Sequence, residues 1–407
     1  MKNFNPFRYF ILILILAGLF LNSCNQNNDP VKPENKYFLS SELKSSITKQ
    51  EAIANFTALA PEAAAIGAFI KTDIKVQSLT YRTSFQNNNI EASGLVCLPK
   101  TAGNYPVLSF QNGTNTLHSD APSVAFNNDL YKIIESIATM GFIVVIPDYI
   151  GFGASSQLPH PYMDAKSTTQ SILDMLRATK EYGTVDSIVA KPTKDLFIFG
   201  YSQGGWSTME LQKDIEKNYP SEFNLVASSC GAGPYSIEYL NTLIISQTQY
   251  PSPNFLAYVL NAYHTIGNFS NPLTDFFNEP YASTIPGLFD GLHSGGEINS
   301  QLTTNLINLL TPEYRNEFAS NSKFSMARSA FIANSITAWN TTTPTHLYHG
   351  TNDEVVPYSM SEKMLADFQT AGATAKVTLI PIPDADHTSG IYSTGLQTIL
   401  WFLGLKK

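Results

Sequence analysis

Charged residues and cysteines are scarce in this chain. Of its 407 residues, 14% are charged and three are cysteine, so it is not one of the cysteine-dense scaffolds of small secreted domains. A hydrophobic content of 43% excludes a disordered chain. Acids outnumber bases by 33 to 25. We therefore expect no nucleic-acid partner, because phosphate binding needs a basic surface.

Three further features are missing. No stretch after residue 25 has the roughly 18 apolar residues of a membrane span. No Cys/His cluster has the spacing of a zinc site, and no glycine-rich phosphate loop follows a strand. The sequence therefore predicts neither a metal nor a cofactor. Cys97 and Cys230 lie in strand-like runs, which favours two small buried thiols over a disulfide.

The N-terminus has the pattern of an export signal. Lys2 and Arg8 precede a 12-residue apolar run over residues 10–21, too short to span a membrane and typical of a signal peptide. Leu21-Asn-Ser-Cys24 resembles the lipobox of bacterial lipoproteins. We predict a signal peptide over 1–23, lipidation of Cys24 and a flexible tether over 24–36. A plain secretory signal with a chance cysteine is the alternative.

A lipid anchor would attach the chain to a membrane of the bacterial cell envelope. Asn25, after the lipidated cysteine, is not an Asp-type retention residue, which favours the outer membrane.

The next part of the chain predicts an α/β core over residues 37–230 and 337–407. Residues 40–70 have a helical pattern, and residues 75–98 alternate around Asn87-Asn-Asn89 as a hairpin. Short apolar runs then alternate with helical stretches, which predicts a mostly parallel sheet with helices on both faces. The strand-like runs are Val107–Gln111, Ile143–Pro147, Leu196–Gly200, Leu225–Ser229, Thr345–His349 and Lys376–Pro381, and the helical stretches are Asn127–Met140, Ala165–Tyr182, Gln203–Asn218, Ser359–Thr370 and Ile391–Leu405.

The alternation is interrupted over residues 231–336. This segment is rich in Asn, Ser, Thr, Tyr and Phe and contains helix-like pieces such as Ile237–Ser246 and Thr303–Leu310. A structureless loop of that length is improbable in a compact domain. We therefore predict a helical cap inserted into the core.

Gly200-Tyr-Ser-Gln-Gly204 matches the Gly-x-Ser-x-Gly pattern and follows an apolar run directly before a helical stretch. This strand–turn–helix setting is typical of a nucleophile elbow. It predicts Ser202 as a nucleophile, which needs a base to take its proton.

His387, on the loop after the last strand-like run, is the predicted base. Asp353, after the preceding run, is the predicted orienting acid, because the order Ser, Asp, His is that of an α/β-hydrolase. Alternatives remain for both roles. Glu354 is an alternative acid, and His160 an alternative base. The other candidates are read as loop, strand-end, cap or pocket residues: His118, His264, His293, His349, Asp384 and Asp386.

Two backbone N–H groups are needed to bind the oxyanion of an acyl-transfer intermediate. The first is predicted at Gln203, directly after the nucleophile. The second is predicted at Thr114, in the loop that follows Val107–Gln111.

Several motifs together resemble the secretory lipase family, which includes fungal lipases of the Candida lipase A type and bacterial α/β-hydrolases. They are Ser109-Phe-Gln-Asn-Gly-Thr114, Ala121-Pro-Ser123, Gly141–Tyr149 with Gly151-Phe-Gly153, His160-Pro-Tyr162 and Gly200–Gly205. The resemblance implies the α/β-hydrolase fold and a helical lid over 231–336. It also implies the same roles for Ser202, Asp353, His387 and Thr114.

We therefore expect a serine esterase or lipase acting on a small-molecule or lipid ester. Alternatives on the same fold are a peptidase, an esterase that deacylates polysaccharide, and a catalytically silent surface binding lipoprotein. The sequence indicates neither the natural substrate nor the oligomeric state.

Overall fold

The computed structural model describes residues 35–59 and 66–406 of the chain. Their central element is a nine-stranded sheet in the order β1-β2-β3-β5-β4-β6-β7-β8-β9. The strands are β1 (Phe38–Ile47), β2 (Ile74–Phe85), β3 (Asn88–Pro99), β4 (Gly103–Gln111), β5 (Ile143–Pro147), β6 (Ala190–Tyr201), β7 (Asn224–Gly231), β8 (Thr345–Gly350) and β9 (Val377–Ile382).

Strand direction divides the sheet into two parts. Strands β1, β2 and β3 are antiparallel, and β3 also pairs antiparallel with β5. All pairs from β5 to β9 are parallel. The predicted hairpin is confirmed as β2–β3, which turns at Gln86 and Asn87 with φ of 49° and 65°, the left-handed angles that two-residue hairpin turns require.

Thirteen α-helices accompany the sheet in the described residues. Those outside the segment between β7 and β8 are α1 (Lys49–Leu59), α2 (Asp129–Ser136), α3 (Ala165–Tyr182), α4 (Gln203–Asn218), α12 (Ser359–Thr370) and α13 (Gly390–Leu405). Those inside it are α5 (Ile237–Ser246), α6 (Pro253–Thr265), α7 (Tyr281–Leu288), α8 (Gly295–Gln301), α9 (Leu306–Leu309), α10 (Pro312–Glu317) and α11 (Ser325–Ala333).

Helices cover both faces of the sheet, as predicted. Alternate residues of β5 show this directly: Ile143 and Val145 pack with α3 and α4, whereas Val144 and Ile146 pack with α1, α2 and α13. All four side chains are fully buried. An uninterrupted apolar strand is what a sheet buried on both faces requires.

The seven helices α5–α11 lie between β7 and β8, within the predicted insertion. Their apolar side chains join those of α12 and of Trp206 and Met209 on α4 in one buried cluster. The insertion is therefore packed against the core at the carboxyl ends of the strands. Its role as a lid stays a prediction.

The helical interpretation of residues 40–47 was wrong, because they form β1. This strand lies at the edge of the sheet and pairs with β2 from Phe38 to Ile47, with two register shifts. Most of its side chains are at least partly exposed. The conformation of this segment is therefore determined by backbone pairing with β2 rather than by its local pattern of Leu, Lys and Glu residues. The helix begins only at Lys49.

The predicted signal peptide and Cys24 lie outside the described residues, as does most of the tether, and they stay predictions. Within residues 35–59 and 66–406, no helix is long and apolar enough to cross a membrane. Cys97 and Cys230 are buried, and each is a free thiol.

The burial of Glu135 on α2 is expected to make the free energy of unfolding depend on pH. Its side chain is 1% exposed, Oε1 has no partner among the described residues, and burial raises its pKa to about 8. The native state therefore holds a proton that the unfolded chain releases near pH 4.5. The stabilisation is complete below that pH and is lost as the pH rises towards 8, by up to about 1.4 kcal/mol per pH unit.

Glu135→Gln replaces this carboxyl with a group that cannot ionise. In urea unfolding between pH 5 and pH 8, we expect the variant to gain stability relative to the wild type as the pH rises. Glu91→Gln is the control, because Glu91 is exposed. If Glu135→Gln and the wild type lose stability in parallel between pH 5 and pH 8, the Glu135 carboxyl does not titrate as stated.

Candidate active site

Ser202 occupies a sharp turn between β6 and α4. Its backbone angles are φ 60° and ψ −123°, a conformation that costs a non-glycine residue about 1–3 kcal/mol. A Cβ on Gly204 would lie 1.9 Å from the carbonyl oxygen of Gln111, and one on Gly200 would lie 2.2 Å from that of Gly204. The glycines on both sides of Ser202 are therefore required by backbone contact. The turn places the Ser202 side chain at the carboxyl end of β6.

His387 connects the Ser202 hydroxyl with the Asp353 carboxylate. Its Nε2 lies 2.9 Å from Ser202 Oγ, and its Nδ1 lies 2.6 Å from Asp353 Oδ2. Asp353 follows β8 and His387 follows β9, so the same edge of the parallel sheet brings all three residues together. In this arrangement His387 Nδ1 donates to the carboxylate, and Nε2 is positioned to accept the hydroxyl proton.

The Asp353 carboxylate is buried and kept ionised by hydrogen bonds. Its Oδ1 accepts from the backbone N–H groups of Val355 and Val356, at 2.9 and 2.8 Å. Burial alone raises the pKa of this carboxyl, but hydrogen bonds from His349 and His387 outweigh burial and lower the pKa to about 2. At neutral pH the group is an anion that stabilises a positive charge on His387.

His349 is a second histidine beside Asp353 Oδ2, the oxygen that also contacts His387, a role that the sequence did not predict. Its ring is fully buried, with Nε2 2.8 Å from the carbonyl oxygen of Val356 and 3.3 Å from Asp353 Oδ2. Because both neighbours are acceptors, we assign the proton to Nε2. Nδ1 then accepts from the Ser361 hydroxyl at 2.7 Å. The sequence signal is a histidine four residues before the acid, which alone is indistinguishable from a strand-end residue.

The loop after β4 borders the nucleophile. A Cβ on Gly113 would lie 3.9 Å from Ser202 Cβ, and the hydroxyl of the following Thr114 lies 2.8 Å from Tyr162 OH. Gln203 is the first residue of α4, where a backbone N–H has no acceptor within its helix. Thr114 and Gln203 therefore both lie beside Ser202. Their action as oxyanion donors stays a prediction.

His160, the alternative base, contacts Gln203 rather than Ser202. Its Nδ1 donates to the carbonyl oxygen of Ile150 at 2.6 Å, so Nε2 accepts from Gln203 Nε2 at 3.1 Å. Burial lowers its pKa to about 4. The neutral ring therefore helps to hold the Gln203 side chain.

In the described part of the chain, the remaining alternatives have their hydrogen bonds and ring contacts elsewhere than with Ser202 or His387. Glu354 and Asp384 are exposed, and Asp386 accepts from the N–H groups of Thr388 and Ser389 in the turn that contains His387. The other histidines have contacts elsewhere: His118 with Phe152, His264 with Phe269, and His293 with Asp290.

An apolar pocket opens beside Ser202, with about 560 Å³ of space not occupied by protein atoms, part of it open to solvent. Its mainly apolar lining with a few polar groups suits the apolar part of a small organic ligand. Cap residues supply most of its wall. The lining residues are Tyr162, Met163, Ser202, Pro234, Ile237, Leu240, Asn241, Ile244, Tyr250, Phe255, Leu256, Val259, Phe331, Val355 and Val356.

The site contains groups for nucleophilic and acid–base chemistry. In residues 35–59 and 66–406, no group of three or more His, Cys, Asp or Glu side chains is arranged to hold a metal ion. The arrangement suits acyl transfer, with a serine nucleophile, a histidine base and a carboxylate that orients the base.

The model of the secretory lipase family matches residues 116–403 of the chain. This span is more than half of the chain. It includes Ser202, Asp353 and His387 and begins two residues after Thr114. No curated protein sequence matches the chain.

Solved structures match over most of the chain. One is described as a putative hydrolase from Legionella pneumophila and is 25% identical. The match covers 91% of this chain and 98% of that one, with a TM-score of 0.81. A variant of the rice cell wall degrading esterase LipA from Xanthomonas oryzae is also 25% identical. The match covers 91% of this chain and 97% of the esterase, with a TM-score of 0.78.

The third structure, Candida antarctica lipase A in its closed state, is similar in fold. It is 19% identical, with 91% of this chain and 81% of that one covered and a TM-score of 0.65. Together with the sheet order, these matches confirm the predicted α/β-hydrolase fold.

Proposed function

The chain belongs to the secretory lipase family, and from this premise we propose that it is a serine carboxylic-ester hydrolase acting through Ser202, His387 and Asp353. The observation that carries the proposal is the continuous pair of hydrogen bonds from Ser202 Oγ through His387 to Asp353, at 2.9 and 2.6 Å. The similarity to an esterase and a lipase supports it.

Acylation follows from this geometry. His387 Nε2 takes the hydroxyl proton as Ser202 Oγ forms a bond to the ester carbonyl carbon. The carbonyl oxygen becomes an oxyanion, which the N–H groups of Thr114 and Gln203 stabilise. The bond to the alkoxy oxygen then breaks, and His387 gives its proton to the departing alcohol.

Deacylation repeats these steps with water. His387 takes a proton from a water molecule, whose oxygen attacks the acyl carbon, and then returns the proton to Ser202 Oγ as the carboxylic acid leaves. Throughout, Asp353 holds the imidazole and balances its positive charge. We assign the acyl group of the substrate to the apolar pocket, because Ser202 is one of the residues that line the pocket and most of the others have aliphatic or aromatic side chains.

An ester and an anilide of the same acid, which release 4-nitrophenol and 4-nitroaniline respectively, distinguish this proposal from peptidase activity. We expect the purified chain to hydrolyse 4-nitrophenyl butyrate, and to hydrolyse a 4-nitroanilide of the same acid far more slowly. Release of the chromophore is followed in parallel with Ser202→Ala as the background control. Failure to hydrolyse 4-nitrophenyl acyl esters of any chain length contradicts the proposal, and faster anilide cleavage favours a peptidase.

A further inference from the structure

In the described residues, one polar group that lines the pocket beside Ser202 has no hydrogen-bond partner. Four of its lining side chains have strong hydrogen-bonding atoms, and three of these are accounted for. Ser202 pairs with His387, Tyr162 OH pairs with Thr114 Oγ1 at 2.8 Å, and Tyr250 OH donates to the carbonyl oxygen of Val355 at 3.1 Å. The fourth is Asn241.

Asn241 lies on α5 in the cap and is 3% exposed. Its Oδ1 accepts a hydrogen bond of 2.5 Å from Tyr314 OH. Its Nδ2 has no acceptor among the described residues. A buried donor without an acceptor is unfavourable, since it has lost its bonds to water and gained none in the protein.

Tyr314 fixes the direction of this amide. The tyrosine is fully buried, and its ring packs against Phe276, Phe318 and Phe324. Burial raises the pKa of this hydroxyl well above its ordinary value, so it keeps a proton that needs an acceptor, and we assign Asn241 Oδ1 as that acceptor. With this assignment, the atom left without an acceptor among the described residues is Nδ2, on a residue that lines the pocket.

From this donor and the proposed ester hydrolysis, on which the inference rests, we propose that Asn241 Nδ2 binds an oxygen acceptor on the acyl chain of the substrate. The substrate class is then esters of acids whose chain bears an oxo, hydroxy or ether oxygen, in preference to plain alkanoates. Among the residues that the structure describes, no Lys or Arg lines the pocket, so the acceptor is a neutral oxygen rather than a second carboxylate.

Moving one oxygen along the acyl chain tests the proposal. The substrates are 4-nitrophenyl octanoate and its oxo derivatives with the carbonyl at C4, C5, C6 or C7. We expect kcat/KM to exceed that of octanoate by about tenfold or more for one or two adjacent positions. Equal or lower values at all four positions would overturn the proposal.

Variants assign the preference to the amide. We expect Asn241→Leu to bring the ratio of the preferred oxo ester to octanoate close to one. Leu240→Ala is the matched control, because it alters the same pocket without removing a donor and is expected to preserve the ratio. A ratio that survives in Asn241→Leu contradicts the assignment.

A second variant separates the loss of preference from a loss of stability. Asn241→Leu alone leaves the Tyr314 hydroxyl buried without an acceptor, which lowers stability. Asn241→Leu combined with Tyr314→Phe removes both partners, and we expect it to show the same loss of preference in a more stable protein. If Nδ2 only holds a water molecule, the wild type shows no preference, and this outcome counts against the proposal.

A binding measurement separates this inference from the proposed activity. Calorimetry with Ser202→Ala and methyl oxo-octanoates is expected to give tighter binding than with methyl octanoate, with the difference lost when Asn241→Leu is added. Hydrolysis of octanoate without any oxo preference refutes only the role of Asn241. Selective binding without hydrolysis in the wild type refutes only the esterase activity, whereas non-selective binding refutes the role of Asn241.

Discussion

Replacing Ser202 with alanine is expected to lower kcat for a 4-nitrophenyl ester by about 10⁵- to 10⁶-fold. The variant lacks the oxygen that forms the acyl-enzyme, while His387, Asp353 and the backbone donors stay in place. The remaining rate then comes only from substrate binding and the oxyanion donors. Steady-state rates and circular dichroism on the same preparations establish whether the loss is chemical.

Ser207→Ala is the matched control for this prediction. Ser207 is a buried serine in the first turns of α4, but its hydroxyl donates to the carbonyl oxygen of Gln203 at 2.8 Å and takes no part in the proposed chemistry. We expect its kcat to stay within a few fold of the wild type. If Ser202→Ala keeps a tenth of the wild-type kcat, Ser202 is not the nucleophile.

Replacing Asp353 with asparagine is expected to lower kcat by about 10⁴-fold. The asparagine oxygen can still accept from Val355 and Val356, which leaves the NH2 group facing His387 Nδ1. That nitrogen must then accept, so the proton moves to Nε2, which can no longer take the proton of Ser202. The loss should appear in kcat, because the residue does not line the pocket.

Glu354→Gln provides the matched control, since Glu354 is the adjacent acid in sequence and is exposed. We expect nearly wild-type kinetics from this variant. If instead it loses the greater part of the activity and Asp353→Asn does not, the two carboxylates have the reverse of the roles assigned above.

Local pattern predicted most of the core elements. Helices over Ala165–Tyr182, Gln203–Asn218 and Ser359–Thr370 begin and end at the predicted residues, because apolar spacing and end signals coincide there. Asp164, for example, accepts from the Ser167 N–H at the first turn of α3. Strand β1 was missed, because an exposed edge strand depends on pairing with β2, about 30 residues away in sequence, which its own pattern does not encode.

The site was predictable where its chemistry is confined to short motifs. Ser202 lies in a glycine pattern required by backbone contact, and Asp353 and His387 follow from chain order. The contacts of His349 with Asp353 and of Asn241 with Tyr314 were not predictable. The first depends on how the loop after β8 folds back to bring two residues four positions apart into contact. The second depends on packing between two helices of the cap, where the regular alternation is absent.

Reaction with a fluorophosphonate, followed by peptide mass mapping, tests the central claim most directly. This reagent phosphonylates serines activated by a neighbouring base. We predict a single adduct on the peptide that contains Ser202, absent in Ser202→Ala and formed much more slowly in Asp353→Asn. An unlabelled wild-type chain, or an adduct on any other residue, would contradict the account.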